Sequence, residues 1–292
     1  MTLDDLTARV ERAYVAALTG PVAQWFAALR RTLKPTLTLG GGPVPASGTV
    51  DLAAGARAAL VDRLALPVSV HEKTGLRVHV AFDEFQELDE IDDQADAVVR
   101  SEIQHHGNAA SYVFAGSRVH MMEMLFADRK RAFYGQTKPV HLNPLGPIDL
   151  TEYIVGRFRA TEKEITAPAL DELLDLVAGH PQRAMAAAHA LWDATETSAG
   201  IEEWESARTA LMLDVTDELR TAWWGFNAAE RQAVVAIARG EGPYSRTSAR
   251  SRGGAVASAL ESLEGLGVII RANTAWAVVD PLFAEWLRTG RD

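Results

Sequence analysis

The chain has 292 residues, of which 48% are hydrophobic and 23% are charged, so it is long enough for two or three globular units. Its formal net charge of -10 argues against broad, nonspecific binding of nucleic acid by the whole molecule. No apolar stretch approaches the roughly 20 residues that span a bilayer, and no signal peptide is recognisable. Because the chain also has no cysteine, we predict a cytoplasmic protein with no disulfide, no thiol nucleophile and no membrane partner.

The N-terminal part of the chain is predicted to be mostly helical. Apolar residues recur at helical spacing over residues 3–33, with Gly20 and Pro21 as an interruption. The segment from Leu39 to Gly48 holds four glycines and two prolines, which indicates a surface loop. An alanine-rich helix is then expected from about Asp51 to Leu64.

The next part of the chain alternates between strands and helices. The segment from Leu76 to Phe82 is almost wholly apolar, which predicts a strand buried on both faces of a parallel sheet. A helix is expected from the acids that follow to about His105, then a buried strand from Ala110 to Ala115 and a short third strand from Pro139 to Leu142. This alternation is typical of an α/β domain with a parallel sheet.

After Pro147 the sequence predicts a helical unit and then a smaller mixed one. The predicted helices of the first are Thr151 to Arg159, Ala169 to Val177, Gln182 to Trp192 and Ile201 to about Trp223. A capping box from Asn227 to Glu230 begins the last part, where two helices and a hairpin around Asn273 follow in the order of a winged helix. Asp280 and Pro281 are expected to cap a final helix. The predicted domains are therefore 1–147, 148–224 and 225–292.

Two adjacent acids give the strongest chemical signal. Asp83 and Glu84 directly follow the first predicted strand, at the carboxyl edge of the sheet, where open α/β folds bind ligands. One carboxylate can hold Mg²⁺ through its water shell, and the other can polarise an attacking water. This is the pattern of a Walker B motif. Taken alone, it is explained equally well by an acid that caps a helix.

Further motifs follow these acids in a fixed order. They begin with the remainder of the segment from Asp83 to Leu88 and continue with Tyr112 to Ser117, Met124 to Phe126, Phe133 to Gly135, His141 to Leu145, Tyr153-Ile154 and Gly179-His180-Pro181. From about residue 70 to the C-terminus, the chain thereby resembles the archaeal-type ATPases, in the STAND branch of the AAA+ P-loop ATPases. The resemblance implies an α/β fold with a partial P-loop NTPase core of the ASCE type, then a helical lid and a C-terminal winged helix. It also implies a switch driven by ATP and Mg²⁺.

The resemblance assigns roles to individual residues. It implies that Asp83 coordinates Mg²⁺, that Glu84 activates water and that Ser117 senses the γ-phosphate. Gly179-His180-Pro181 matches the motif of the lid that lies near the nucleotide. From the residues alone, the same three positions are explained by a glycine that ends one helix and a proline that starts the next.

The sequence lacks the phosphate-binding part of such an ATPase. No GxxxxGK[ST] motif occurs, and Gly40-Gly41-Gly42-Pro43 has neither the lysine nor the hydroxyl that anchors the phosphates. We therefore expect poor nucleotide affinity and no ATPase activity from this chain alone. Either an upstream P-loop is missing from the sequence, or the protein is a degenerate homologue that has given up hydrolysis.

Other basic and histidine residues suggest alternative functions. Arg246, Arg250, Arg252 and Arg271 surround the second helix of the predicted winged helix, where they could neutralise DNA phosphates. The alternative function is thus a non-enzymatic DNA-binding regulator or a protein-interaction module, whose partner and oligomeric state the sequence leaves open. Two weaker candidates are a phosphate-contacting finger at Arg129-Lys130-Arg131 and a metal site at His105, His106 and His120.

Overall fold

The computed structural model describes residues 2–20, 23–24, 27, 52–92, 94–244, 253–272 and 275–290. The chain forms two compact units, Met1–Lys138 and Pro139–Asp292. The domain limits predicted after residues 147 and 224 stay predictions. The loop predicted from Leu39 to Gly48 lies outside the described residues. None of the helices within the described ranges combines the length and the apolar character that crossing a bilayer requires.

The first unit is built from short helices around a two-stranded sheet. Its helices are α1 (Leu3–Ala17), α2 (Leu52–Leu64), α3 (Leu66–Thr74), α4 (Leu88–Ile91), α5 (Ala95–Ile103) and α6 (Val119–Ala127). Its strands are β1 (Val78–Phe82) and β2 (Ala110–Phe114), and a turn of 3-10 helix covers Phe85–Glu87. The strands pair in parallel, with Val78 opposite Ala110 and Phe82 opposite Phe114. The predicted parallel α/β arrangement is present, although most described residues are helical.

Two local predictions for this unit are wrong. Along β1 and β2, exposed residues alternate with buried or half-buried ones, so β1 is not buried on both faces as predicted, and β2 is not buried throughout. Within the described residues no element covers the second face, and the side chain of Val113 there is 63% exposed. The single helix predicted up to His105 is instead divided among the 3-10 turn, α4 and α5, because Asp92, the residue after α4, has an extended backbone.

The core of the first unit lies between its helices and the covered face of the sheet. Helix α1 packs on α2, and α2 packs on α5. The buried apolar residues of this core are Leu3, Leu6, Leu60, Leu64, Phe85, Leu88, Ala95, Val99, Leu125 and Phe133. Burial of each large apolar side chain contributes about 1.5–3 kcal/mol, so this core fixes the segments that carry the predicted acids.

The second unit is a set of packed helices with two small sheets. Its helices are α7 (Pro147–Arg159), α8 (Ala167–Val177), α9 (Pro181–Asp193), α10 (Ile201–Gly225), α11 (Ala228–Ala238), α12 (Gly253–Gly265) and α13 (Pro281–Thr289). Strands β3 (Glu164–Ile165) and β4 (Ser198–Ala199) pair in parallel, and β5 (Ile269–Ala272) and β6 (Ala275–Val278) pair antiparallel. The short β3–β4 pair was not predicted from the sequence.

One apolar core runs through the second unit. Helix α10 contributes a stripe of buried residues at spacings of three and four, namely Trp204, Ala207, Leu211, Val215, Leu219 and Trp223. This stripe belongs to a cluster of buried residues that extends from Leu150 to Leu287. The same core therefore holds both the predicted lid helices and the C-terminal elements.

The start of α11 follows the sequence prediction closely. Asn227 caps the helix through its side-chain oxygen, which accepts hydrogen bonds from the backbone N–H groups of Ala229 and Glu230. The carboxylate of Glu230 accepts in turn from the N–H of Asn227 at 2.7 Å, which completes the capping box. The predicted order of two helices and a hairpin is present, and its identification as a winged helix stays a prediction.

The strand predicted from Pro139 to Leu142 is absent from the structure. These residues lie in no helix or strand, and the side chains of Val140 and Leu142 are 78% and 94% exposed. A short apolar run becomes a strand only when a neighbouring backbone edge and a covering layer are available. Proline at the first position also removes one donor from any such pairing.

Candidate functional site

The carboxyl ends of β1 and β2 meet at one edge of the first unit's sheet. The backbone N–H of Ala115 donates to the carbonyl of Phe82 at 2.8 Å, and the N–H of Phe85 donates to the carbonyl of Ala115 at 2.9 Å. These bonds extend the pairing beyond the strands. The predicted acids after β1 and the predicted serine after β2 are therefore held side by side.

The Glu84 carboxylate contacts Ser117 directly. The Ser117 hydroxyl donates to Oε2 of Glu84 at 2.8 Å, and the Ser117 N–H approaches the same oxygen at 3.4 Å. The side-chain amide of Gln86 also donates to Oε2. These bonds hold the pKa of Glu84 below its ordinary value, first through the Gln86 amide and then through the Ser117 hydroxyl. Two residues that were predicted to act together are thus in hydrogen-bond contact, and their catalytic roles stay predictions.

Glu84 reaches this position through an unusual backbone conformation. Its φ of 50° and ψ of 44° lie in the left-handed region, which residues other than glycine rarely adopt. The turn directs the chain from the end of β1 into the 3-10 turn that begins at Phe85. Strained backbone of this kind persists only where the surrounding packing fixes it, and it is frequent at functional sites.

Asp83 offers the exposed carboxylate of the pair. Its Oδ1 accepts a hydrogen bond from the N–H of Glu84 at 3.0 Å, and the residue lies at the surface. Mg²⁺ in phosphate-binding sites keeps several waters and takes one or two protein carboxylates, so Asp83 fits the predicted role of magnesium ligand. Among the described residues, no group of three or more histidine, aspartate or glutamate side chains is placed to hold a metal ion.

The predicted histidine site is not assembled as a metal centre. His106 is buried, and its Nδ1 contacts the hydroxyl of Tyr112 while its Nε2 lies 3.4 Å from Oε1 of Glu102. Burial raises the pKa of the Tyr112 hydroxyl, which keeps that hydroxyl protonated. This histidine therefore serves the packing at the start of β2.

Several acids after Asp83 and Glu84 form ion pairs. Arg131 pairs with Asp89 and with Asp96, Arg118 lies 3.0 Å from Glu90, and Arg57 lies 2.7 Å from Asp92. Arg131 is thus engaged within the first unit, which weakens its candidacy as a phosphate-contacting finger. Its neighbours Arg129 and Lys130 are exposed.

Aromatic rings pack directly behind the acids. Phe82 ends β1, Phe85 begins the 3-10 turn and Phe114 ends β2, and their ring centroids are 4.5 to 5.7 Å apart. Phe126 and Phe133 extend the group, with ring centroids 5.2 to 5.9 Å from those of Phe85 and Phe114. We call these five residues the phenylalanine cluster. It fixes the chain on both sides of Asp83 and Glu84.

In the second unit, Gly179-His180-Pro181 joins α8 to α9. Gly179 has a φ of +79°, and its carbonyl accepts a hydrogen bond from the N–H of Leu145 at 2.9 Å. His180 caps α9, with its Nδ1 accepting from the N–H of Arg183 at 3.3 Å, and Pro181 occupies the first position of the helix. The structure thus brings two of the predicted motifs, residues 141–145 and 179–181, into contact. The proposed nucleotide role of the three residues stays a prediction.

Arg183 is a prominent buried charge that the sequence analysis missed. Its guanidinium contacts both carboxylate oxygens of Asp280, with Nη2 at 2.5 Å from Oδ2, and donates to Glu218 at 2.9 Å. Asp280 also caps α13 by accepting from the N–H of Leu282 at 2.9 Å. Arg183 therefore connects α9 to α10 and to the start of α13.

The predicted DNA-contacting arginines fall mostly outside the described residues. Nothing is described for Arg246, Arg250 and Arg252. Arg271 is exposed, with its guanidinium 5.9 Å from the ring centroid of Trp276. The outward face of α12 carries small or acidic residues, namely Gly254, Ala255, Ala257, Ser258 and Glu261.

Comparison with known proteins adds a structural relationship. No protein-family model matches the chain, and no curated protein matches it in sequence. Among solved structures, the chain is similar to a Walker-type ATPase of Pyrococcus abyssi, with a TM-score of 0.66 and 18% sequence identity. The similarity covers 99% of this chain and 79% of the other. The chain therefore has a fold like that of a Walker-type ATPase.

Proposed function

We propose that this protein is a nucleotide-dependent switch of the ATPase type, related to the archaeal-type ATPases of the STAND branch. One arrangement carries the proposal: Asp83 and Glu84 end one strand, and Glu84 contacts Ser117 at the end of the parallel neighbour. The fold similarity to a Walker-type ATPase supports it. We further propose that the protein acts in the cytoplasm, since its sequence has no cysteine.

In this proposal each residue has a distinct task. Asp83 holds Mg²⁺ through its exposed carboxylate, and the bound ion would neutralise charge on the phosphates. Glu84 accepts a hydrogen bond from the attacking water, and Ser117 senses the γ-phosphate. Gly179-His180-Pro181 contributes to nucleotide binding. No segment of the sequence has the lysine and hydroxyl of a P-loop at the required spacing. Hydrolysis therefore requires a P-loop in addition to the residues named here.

A magnesium-dependent binding measurement tests the proposal. The chain alone is expected to bind ATP weakly, in the millimolar range, and only when Mg²⁺ is present. Asp83→Asn should weaken the Mg²⁺-dependent binding by at least about tenfold, because even the loss of a hydrogen-bond partner of a metal ligand costs about 10- to 100-fold in metal affinity. The measurement is a titration of the protein with ATP, with and without Mg²⁺, followed through NMR chemical shifts.

The matched control is Glu123→Gln, which removes an exposed acid on α6. This variant should bind ATP as the wild type does. Equal binding with and without Mg²⁺, or equal weakening in both variants, contradicts the proposed role of Asp83. Absence of all binding at millimolar ATP contradicts the nucleotide function of this chain.

For the C-terminal elements we propose a protein-binding role instead of DNA binding. The exposed polar side chains of α12 are Ser258 and Glu261 among the described residues, and an acid opposes the phosphate backbone. A protein partner is therefore the better fit for this surface.

Salt-dependent binding to a short DNA duplex distinguishes the two roles. We expect no binding at low salt, measured by fluorescence anisotropy of a labelled duplex. Binding that falls steeply with salt and disappears in Arg250→Ala and Arg252→Ala would favour the DNA-binding regulator.

A further inference from the structure

The side-chain amide of Gln86 is locked beside the two predicted catalytic residues. Gln86 is 1% exposed, and its Nε2 donates to Oε2 of Glu84. Its own Oε1 is buried and accepts no hydrogen bond from the described residues. A Cβ atom at Gly116 would lie only 2.1 Å from this Oε1. A side chain at residue 116 would therefore displace the amide from this position.

The bonds to Glu84 are distributed unequally between its two carboxylate oxygens. Donors from Gln86 Nε2, Ser117 Oγ and Ser117 N all converge on Oε2. No described residue donates a hydrogen bond to Oε1. One oxygen is thus held by the protein, and the other is open to a further donor such as water.

We propose that Gln86 is a positioning residue, which ties down Oε2 of Glu84 and leaves Oε1 to accept a hydrogen bond from the attacking water. The inference rests on the proposed function for its catalytic meaning. Gln86 does not touch the reacting atoms. It acts through Glu84, whose left-handed backbone and buried amide partner together fix the direction of the carboxylate.

The charged groups around Glu84 are compatible with this role. Asp83 precedes it in the chain and is exposed, and the cation of Arg118 lowers the pKa of Glu84 further. An ionised carboxylate accepts hydrogen bonds at both oxygens and donates none. Donors on Oε2 therefore keep the group ionised while Oε1 stays available.

The test is the pKa of Glu84, measured by NMR titration of its side-chain carboxyl carbon in the full chain without nucleotide. Gln86→Met keeps the volume of the side chain and removes its donor, so the Glu84 pKa should shift upward. Gln136→Met is the control, because this exposed glutamine contacts Arg100 and Tyr134 instead. It should leave the Glu84 pKa where it is. An unchanged Glu84 pKa in folded Gln86→Met would overturn the inference.

Two further variants keep the test decisive if Gln86→Met does not fold. Gly116→Ala should displace the Gln86 amide and raise the Glu84 pKa without altering either partner. Ser117→Ala, at an exposed position, should also raise the Glu84 pKa, because it removes another donor to Oε2. A shift in Ser117→Ala with no shift in a folded Gly116→Ala would contradict the assignment, because the Ser117 donor would then be sufficient without Gln86.

Failure of this inference is distinguishable from failure of the proposed function. The pKa measurement needs no nucleotide, and the ATP titration needs no change at Gln86. If ATP does not bind but the pKa shifts as expected, Gln86 positions Glu84 and the nucleotide function is wrong. If ATP binds but the pKa does not move, the positioning role is wrong.

Discussion

Replacing Arg183 with methionine is expected to lower the free energy of unfolding of the second unit by about 3 kcal/mol. The guanidinium side chain is 7% exposed and is held by Asp280 and Glu218, whose side chains are 26% and 64% exposed. Its removal leaves the Asp280 carboxylate without its cation in a largely buried place. Breaking a buried ion pair in this way costs about 3–5 kcal/mol, and the partial exposure of Asp280 places the effect at the lower end.

Tryptophan fluorescence during chemical denaturation is a suitable measurement. All tryptophans except Trp25 lie in the second unit, at Trp192, Trp204, Trp223, Trp224, Trp276 and Trp286. Arg220→Met is the matched control, because Arg220 forms an ion pair with Asp217 on the exposed face of α10. Such a surface pair contributes less than about 1 kcal/mol. Similar losses in the two variants would show that the burial of Arg183 does not stabilise the unit.

Replacing Gly179 with alanine is also expected to destabilise the second unit by about 3 kcal/mol. The φ of +79° costs a residue with a Cβ about 1–2 kcal/mol. In addition, the new methyl group would lie 2.6 Å from the backbone oxygen of Leu145 and 2.8 Å from Pro144. Backbone atoms cannot rotate away as a flexible side chain can, so the 141–145 segment must move, and overpacking of this kind costs about 1–3 kcal/mol.

Gly240→Ala separates the two contributions. Gly240 has a similar φ of +72°, but no heavy atom lies within 4 Å of a Cβ placed there. We expect this variant to lose only the backbone contribution of about 1–2 kcal/mol. The difference between the two variants in the same denaturation experiment measures the close approach of Leu145 to Gly179. Equal losses would mean that this contact has no energetic consequence.

The meeting of Glu84 and Ser117 could be predicted from the sequence because it follows from strand direction alone. Both residues come just after apolar runs, and parallel strands bring their carboxyl ends to the same edge. The capping box at Asn227 was equally accessible, since all its atoms lie within one helical turn. Local chemistry and a simple topological rule were sufficient in both cases.

Gln86 and Arg183 could not be found in this way. The contact of Gln86 with Glu84 depends on a left-handed backbone at Glu84 and on the missing side chain at Gly116. The partner of Arg183 is Asp280, which lies 97 residues further along the chain. In the sequence, Arg183 is one of many basic residues in predicted helices, and only the fold shows that its side chain is buried.

The wrong strand predictions have a common cause. An apolar run indicates which residues avoid water, but it does not say whether a second layer or a neighbouring edge is present. In the described residues, Val113 faces outward from β2, and Val140 and Leu142 pair with no strand. Composition alone therefore does not predict burial on both faces, because such burial also depends on the packing partners of the strand.

The phenylalanine cluster has a thermodynamic consequence for any ligand of the adjacent acids. Aromatic side chains have only two rotatable torsions, so interlocking them restricts few rotamers while it immobilises much surface. In the folded chain, these ring contacts hold the carboxyl ends of β1 and β2 in place. A ligand that bound Asp83 and Glu84 would therefore meet a preorganised surface, and little of its interaction free energy would be used to order the strand ends.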